Sequence, residues 1–161
     1  MLLLEGSCHC GAARFSVGSH TPHPYMHCYC SICRKTAGGG GYAINIMGQA
    51  ETLQVSGGEL GIYRAHGAGD APAAPSPARR HFCQACGSAL FISDPRWPDW
   101  VYPFASAIDT PLPVPPERVH IMLAYKAPWV RVPDEPGEVH FPEYPEESIA
   151  DWHRRHGLYL R

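Results

Sequence analysis

The sequence lacks long hydrophobic runs, a marked excess of charge of either sign, and an export signal. Its 161 residues carry 13 Lys and Arg against 15 Asp and Glu, for a formal net charge of −2. No stretch approaches the roughly 20 apolar residues that a membrane-spanning helix requires, and no basic run favours a nucleic acid. The apolar start Met1–Leu4 has no basic residue before it and ends at Glu5, unlike a secretory signal. We therefore expect neither a membrane nor a nucleic acid as partner.

Cysteine, in contrast, occurs seven times and in three tight groups. The groups are Cys8-His9-Cys10, Cys28-Tyr29-Cys30-Ser31-Ile32-Cys33 and Cys83-Gln84-Ala85-Cys86. Thiolates one to three residues apart converge on a soft divalent ion more readily than they cross-link to each other. A disulfide framework would favour a shorter secreted chain with an even count, and an iron–sulfur cluster would need ferredoxin-like spacing. The pattern predicts zinc bound by thiolates in a reducing compartment, the cytoplasm.

Seven sulfur atoms divide naturally into four and three. Glycine follows both Cys10 and Cys86, as suits a tight turn around a metal, so the first and third groups can be paired. That pairing gives a closed site of four thiolates, Cys8, Cys10, Cys83 and Cys86. It leaves Cys28, Cys30 and Cys33 as a site with one open position for water or substrate. We expect two zinc ions per chain, one structural and one catalytic.

Four residues near these cysteines are candidates for further roles. Arg34 and Lys35 directly follow Cys33, where they could offset the charge of the thiolates or bind an anionic substrate. A solvated start of a helix explains the same pair equally well. His27 and His81 lie beside ligand cysteines and are candidates for moving a proton, although a structural role is favoured for each.

The rest of the sequence predicts one mainly β domain over 1–161. The 17 prolines and 16 glycines suit short strands and many turns. Strands are predicted over 12–17, 25–27, 42–46, 53–55, 61–64, 89–92, 101–108 and 119–122. A short helix is expected over 31–37, and a C-terminal helix over 146–156 that begins with acidic residues and ends before Gly157. The glycines of 38–41 are interpreted as a hinge or as a turn, and 66–78 as a long surface loop.

Three segments resemble the signatures of the glutathione-dependent formaldehyde-activating enzymes, the family that also includes centromere protein V. They are Gly6 to Phe15, His27 to Arg34 and Phe82 to Ser88, with a looser match over Lys126 to Val130. The resemblance spans about 6–133 and leaves 134–161 as a C-terminal extension. It implies a zinc-bound β-tent with the same division of the cysteines into a structural and a catalytic group.

The activity that the resemblance implies joins glutathione to formaldehyde, which is a carbon–sulfur lyase reaction in reverse. Its partners would be a small thiol such as glutathione and an aldehyde, and the open zinc position would activate the thiol or polarise the carbonyl oxygen. The alternative function is a non-catalytic zinc module that binds another protein. Trp97, Trp100 and Tyr102 could line a pocket or form the contact of a homodimer, although packing in the core is favoured for at least one of them.

Overall fold

The computed structural model describes residues 1–66 and 74–161, most of whose regular structure is short β-strands. The mainly β prediction is therefore confirmed. The strands are β1 Leu2–Ser7, β2 Ala13–Ser19, β3 Met26–Cys28, β4 Ala43–Ile44, β5 Gly48–Gln49, β6 Gln54–Gly57, β7 Leu60–Tyr63, β8 Arg79–Cys83, β9 Ala89–Ser93, β10 Trp100–Pro103, β11 Arg118–Ile121 and β12 Glu138–His140. The α-helices are α1 Ser31–Ala37 and α2 Ile149–Arg155. Of the loop predicted over 66–78, residues 67–73 lie outside the described residues.

The strands form three sheets that meet around the cysteines, as expected of a β-tent. The first sheet has the order β1-β2-β6 and the second β5-β10-β9-β8-β7, and all their neighbours are antiparallel. The third sheet, β12-β11-β3-β4, is mixed, because β11 runs parallel to both β3 and β12. The ends of β1 and β8 therefore carry cysteines that are distant in sequence, whereas Cys28, Cys30 and Cys33 follow one another from β3 into α1.

The first and second sheets pack face to face over one apolar cluster. Alternate residues of β2 supply Ala13, Phe15 and Val17 to it, as the period of a half-buried strand requires. The ring of Phe15 meets that of Phe91 edge-on, with centroids 5.5 Å apart. Burying each large apolar side chain contributes roughly 1.5–3 kcal/mol. This packing fixes the strands from which Cys8 and Cys83 emerge.

The strands β1, β5, β8 and β12 were not predicted, and the strands predicted over 42–46 and 101–108 are shorter than expected. Residues Leu2–Ser7 pair along their whole length with β2, so the apolar start of the chain is a sheet edge. The strand expected over 101–108 ends at Pro103, and a 3-10 turn follows over Ala105–Ala107. The N–H of Phe104 still donates to Leu90 of β9 at 3.0 Å, and that of Ala107 donates to the carbonyl oxygen of Phe104 at 2.9 Å, so the ladder ends where the local turn begins.

The glycine segment 38–41 forms a turn. The N–H of Gly41 donates to the carbonyl oxygen of Gly38 at 3.1 Å, and strand β4 begins two residues later. Gly41 has φ 94°, a conformation that residues with a Cβ rarely adopt. These contacts favour the interpretation as a turn over that as a hinge.

The C-terminal helix is confirmed and is shorter than predicted. It begins at Ile149 because the hydroxyl of Ser148 caps it by accepting from the N–H of Asp151 at 3.1 Å. Trp152 is buried, stacks on Tyr25 with ring centroids 3.8 Å apart, and donates from Nε1 to Glu117 at 2.8 Å. The helix thus docks beside the third sheet.

Neither of the two helices in the described part of the chain is long and apolar enough to cross a membrane.

Candidate metal centres

The structure brings the cysteines together as a group of four and a group of three. Within each group every sulfur lies within 4.8 Å of the others. The four-cysteine group consists of Cys8, Cys10, Cys83 and Cys86, and the three-cysteine group of Cys28, Cys30 and Cys33. The division is the one that the sequence predicted from sulfur counting.

The sulfur spacing in the four-cysteine group suits a tetrahedral zinc ion. Zn–S bonds of about 2.3 Å in a tetrahedron separate the sulfur atoms by about 3.8 Å. The Sγ atoms of Cys8 and Cys10 lie 3.4 Å apart and those of Cys10 and Cys83 lie 3.9 Å apart. Four thiols at that spacing are a donor set for a soft divalent ion, and all four ligand positions are supplied by the protein.

Two similar turns build the four-cysteine group. Gly11 and Gly87 both have φ 75°, and their N–H groups donate to the carbonyl oxygens of Cys8 at 2.9 Å and Cys83 at 2.8 Å. A left-handed residue lets each turn close around its two sulfurs, which explains the glycine after each pair. Cys8 and Cys83 are buried while their turn partners are exposed, so the group sits at the surface end of the two sheets.

Ser88 supports this group and was not identified from the sequence. Its hydroxyl lies 3.2 Å from the Cys86 sulfur and accepts from the N–H of His9 at 3.1 Å. By donating to the thiolate, Ser88 lowers the pKa of Cys86 to about 5. The serine directly follows the Cys-x-x-Cys-Gly segment, and that adjacency is the signal that could have identified it.

The three-cysteine group is formed where β3 leads into α1. Cys28 ends the strand, Cys30 caps the helix and Cys33 lies in its first turn. The sulfur of Cys30 accepts from the N–H of Cys33 at 3.3 Å. The Cys30 side chain therefore caps the helix, and the first turn of the helix in turn orients its sulfur. Cys28 and Cys33 are buried and Cys30 is half-buried, which leaves one side of the group facing outward.

Mutual hydrogen bonds divide the protons unequally among the three thiols. Hydrogen bonds from Cys28, then from Cys33 and the backbone, lower the pKa of Cys30 to about 2. The pKa of Cys28 is raised, chiefly by its hydrogen bonds to Cys30 and Cys33 and then by burial. Three sulfurs this close cannot all carry negative charge unless a cation offsets them. The donor set therefore fits zinc bound by three thiolates.

Arg80 supplies positive charge to this group, and the sequence did not single it out. Its guanidinium donates to the sulfur of Cys33 at 3.8 Å and to the hydroxyl of Thr36 at 3.2 Å. Arg80 lies on β8, 47 residues from Cys33, so only the fold brings the two together. The sequence assigned the same task to Arg34 and Lys35.

A cleft of about 440 Å³ opens beside the exposed side of the three-cysteine group. Its lining includes Cys30, Lys35, Tyr63, His66, Met122 and Tyr125. Of the two basic candidates, Lys35 lines this cleft, whereas Arg34 is half-buried with its Nε in the interior. A cleft of this size with one cationic wall can accept a small anionic molecule next to Cys30.

The two histidine candidates make contacts typical of structural residues. His27 is buried, its Nδ1 lies 3.2 Å from the carbonyl oxygen of Tyr25, and burial lowers its pKa to about 4. His81 stacks on Phe91 with centroids 4.5 Å apart, and its Nε2 lies 2.9 Å from the Ser93 hydroxyl. Burial also lowers the pKa of His81. These contacts favour packing over proton transfer for both.

A buried polar chain anchors the segment between Cys28 and Cys30. The hydroxyl of Tyr29 lies 2.8 Å from Nδ1 of His120, whose Nε2 lies 2.6 Å from the carboxylate of Glu138. With its proton on Nε2, His120 donates to Glu138 and accepts from Tyr29, which satisfies all three groups. These hydrogen bonds tie the metal-binding segment to β11 and β12, and no local sequence pattern indicates that these residues meet.

A second cleft of about 480 Å³ lies beside the four-cysteine group. It is lined partly by Ser7, Ser106 and Asp109, and Thr36 borders both clefts. The neighbouring sulfurs already supply a complete tetrahedron there. The cleft beside the three-cysteine group is the one that adjoins a site with an open position.

Comparison with known proteins identifies the family. The family model of the glutathione-dependent formaldehyde-activating enzymes matches residues 3–124. A protein of Halomonas elongata named "Putative glutathione-dependent formaldehyde-activating enzyme" is 59% identical over 158 residues, or 98% of each chain. A crystal structure of a Rhodobacter sphaeroides protein aligns with a TM-score of 0.49 and 24% identity over 68% of this chain and 91% of its own. The chain belongs to the glutathione-dependent formaldehyde-activating enzyme family.

Proposed function

We propose that this protein is a zinc-dependent carbon–sulfur lyase-type enzyme that joins a small thiol to an aldehyde, with glutathione and formaldehyde as the first pair to test. The observation that carries the proposal is a cleft of about 440 Å³ beside a group of three cysteines. The name of the Halomonas elongata relative supports the choice of substrates. Because thiolate ligands must stay reduced, we also propose a cytoplasmic location.

The proposal assigns two zinc ions per chain. Cys8, Cys10, Cys83 and Cys86 would hold a structural ion, and Cys28, Cys30 and Cys33 a catalytic one. Held by Cys28, Cys30 and Cys33, zinc would act as a Lewis acid and lower the pKa of a substrate thiol.

The reaction balances without a redox partner. The thiol sulfur forms a bond to the carbonyl carbon, the carbon–oxygen π bond breaks, and the thiol proton ends on the new hydroxyl. Lys35 in the cleft wall would bind a carboxylate of the thiol substrate and orient it. Arg80 would hold Cys33 as a thiolate, and the chain from Tyr29 to Glu138 would keep the segment between the ligands in place.

Two matched cysteine variants test the proposal. Cys30→Ser should lose about one zinc per chain and the catalysed exchange between glutathione, formaldehyde and their adduct, yet stay folded. Cys83→Ser should unfold, since binding of a structural zinc contributes roughly 10 kcal/mol to folding. Zinc content, circular dichroism and exchange NMR measure these three properties.

The NMR experiment also distinguishes the alternative function. An enzyme should raise the exchange rate above that of the same mixture without protein, and glutathione should perturb one of two bound zinc ions. If the protein leaves the exchange rate unchanged and its zinc ions do not respond to added thiol, the non-catalytic binding module is the correct function. If Cys30→Ser and Cys83→Ser unfold alike, the assignment of separate roles to the two groups is wrong.

A further inference from the structure

Met122 has an unusual backbone conformation for its residue type. Its φ of 60° and ψ of 32° are left-handed, and no other non-glycine residue among 1–66 and 74–161 has a positive φ. A residue with a Cβ is disfavoured in this region, and methionine lacks the short polar side chain that helps Asn or Asp adopt it. Such a conformation persists only where the surroundings impose it.

The C-terminal segment imposes this conformation. The N–H of Met122 donates to the carbonyl oxygen of Glu143 at 3.1 Å, and that of Ala124 donates to Pro142 at 3.0 Å. The hydroxyl of Tyr125 donates to the Glu143 carboxylate at 3.1 Å. Met122 immediately follows β11, so the chain is held on both sides of the left-handed residue.

The imposed turn places Met122 in the wall of the cleft that Cys30 also lines. Met122 is half-buried and packs on the apolar cluster that contains Cys28, Cys33 and Ile121. It also lines the cleft together with Cys30 and Lys35. The strained residue therefore forms part of the wall where a thiol at the open position would sit.

We propose that Met122 is a specificity-determining residue that packs against the methylene carbon next to the substrate sulfur. The inference rests on the proposed function, because it needs a thiol at the three-cysteine site. A methionine suits this task, since its flexible, polarisable side chain adapts to an irregular apolar surface. Combined with Lys35, which lines the same cleft, it selects thiols that carry a carboxylate and a methylene carbon beside the sulfur.

Cobalt(II) provides a readout that is independent of turnover. Protein loaded with Co²⁺ should change its sulfur-to-cobalt absorption when glutathione binds at the three-cysteine site. Met122→Leu keeps an apolar side chain of similar size, and its dissociation constant should stay within about twofold of wild type. Met122→Gly should bind glutathione about tenfold more weakly, which is the usual effect of losing one or two methylene contacts.

Stability separates a role in binding from a structural role. Glycine relieves the left-handed strain but loses the packing of the half-buried side chain, so Met122→Gly should stay folded with a modestly lower unfolding midpoint while losing thiol affinity. Met122→Asn, which tolerates the same conformation, serves as the second variant if the glycine variant does not fold. Both variants should load as much Co²⁺ as wild type.

The possible failures are distinguishable. If glutathione leaves the wild-type Co²⁺ spectrum unchanged, the proposed function fails and the inference fails with it. If wild type responds to glutathione and Met122→Gly binds it equally well, the inference about Met122 is wrong and the proposed function stands.

Discussion

At the scale of single residues, Arg80 connects the two candidate metal centres. It lies on β8, the strand that ends at Cys83, and its guanidinium reaches Cys33 at 3.8 Å. Three thiolates around one divalent ion leave a net negative charge, which a neighbouring cation offsets. Groups that support metal ligands in this way usually change metal affinity tenfold or more when removed.

We predict that Arg80→Met weakens zinc binding at the three-cysteine group about tenfold and leaves the four-cysteine group saturated. Competition with a chromogenic chelator should show one labile and one tight zinc per chain. Arg79→Met removes the same charge from the adjacent, exposed position of β8 and serves as the control. Equal zinc loss in the two variants would mean that the contact with Cys33 has no effect.

At the scale of elements, the turn 38–41 sets the path from α1 to β4. A Cβ on Gly41 would lie 2.3 Å from Cγ2 of Val130, a buried side chain, and φ there is 94°. A Cβ on Gly39 would meet no atom within 4 Å. Adding a methyl group at Gly41 therefore tests the left-handed conformation and the lack of space there. Adding one at Gly39 tests only the general cost of changing the turn.

We predict that Gly41→Ala lowers the free energy of unfolding by about 2–4 kcal/mol, because left-handed strain and overpacking add. Gly39→Ala should stay within about 0.5 kcal/mol of wild type. Denaturant unfolding of the zinc-loaded proteins measures both. A tolerant Gly41→Ala variant would favour the hinge interpretation of the segment.

At the scale of the whole molecule, the C-terminal residues add β12 to the third sheet and contain a buried histidine. His153 on α2 is fully buried, with Nδ1 donating to the carbonyl oxygen of Ile149 at 2.8 Å and Nε2 accepting from the N–H of His23 at 3.3 Å. Burial lowers the pKa of His153 to about 4 from 6.5. The unfolded chain therefore takes up a proton at this residue before the folded chain does.

We predict that this difference destabilises the fold as the pH falls from about 6.5 towards 4. For His153 alone the loss between pH 7 and pH 5 is about 2 kcal/mol. His153→Asn cannot titrate and keeps a donor near the Nδ1 position, so its stability should decline less steeply. Denaturant unfolding at both pH values measures the two slopes.

The comparison of slopes controls for metal release in acid. Both proteins contain the same seven cysteines, so zinc lost through protonation of thiolates contributes equally to each. Parallel declines in wild type and His153→Asn would show that His153 does not cause the loss.

The homodimer suggested by Trp97, Trp100 and Tyr102 stays a prediction.

Much of the candidate site and of the fold class was predictable because the signals are local. The cysteine spacing, the glycines after Cys10 and Cys86, and the count of seven indicated the two groups that the structure brings together. Helix α1 was predicted at the same bounds, and α2 within three residues at its start. In each case neighbouring residues carry the physical cause, whether a metal-binding turn or a helix cap.

What the tertiary structure alone decided depends on contacts between distant residues. Arg80 meets Cys33, His120 links Tyr29 to Glu138, and the backbone of Glu143 holds Met122 in a left-handed conformation. None of these pairs has a spacing that a sequence pattern could reveal, because the tertiary packing of the sheets, α1 and the C-terminal segment brings them together. The sequence determined which sulfur atoms are available for metal, and the folded sheets decided which charges, aromatic rings and cleft walls surround them.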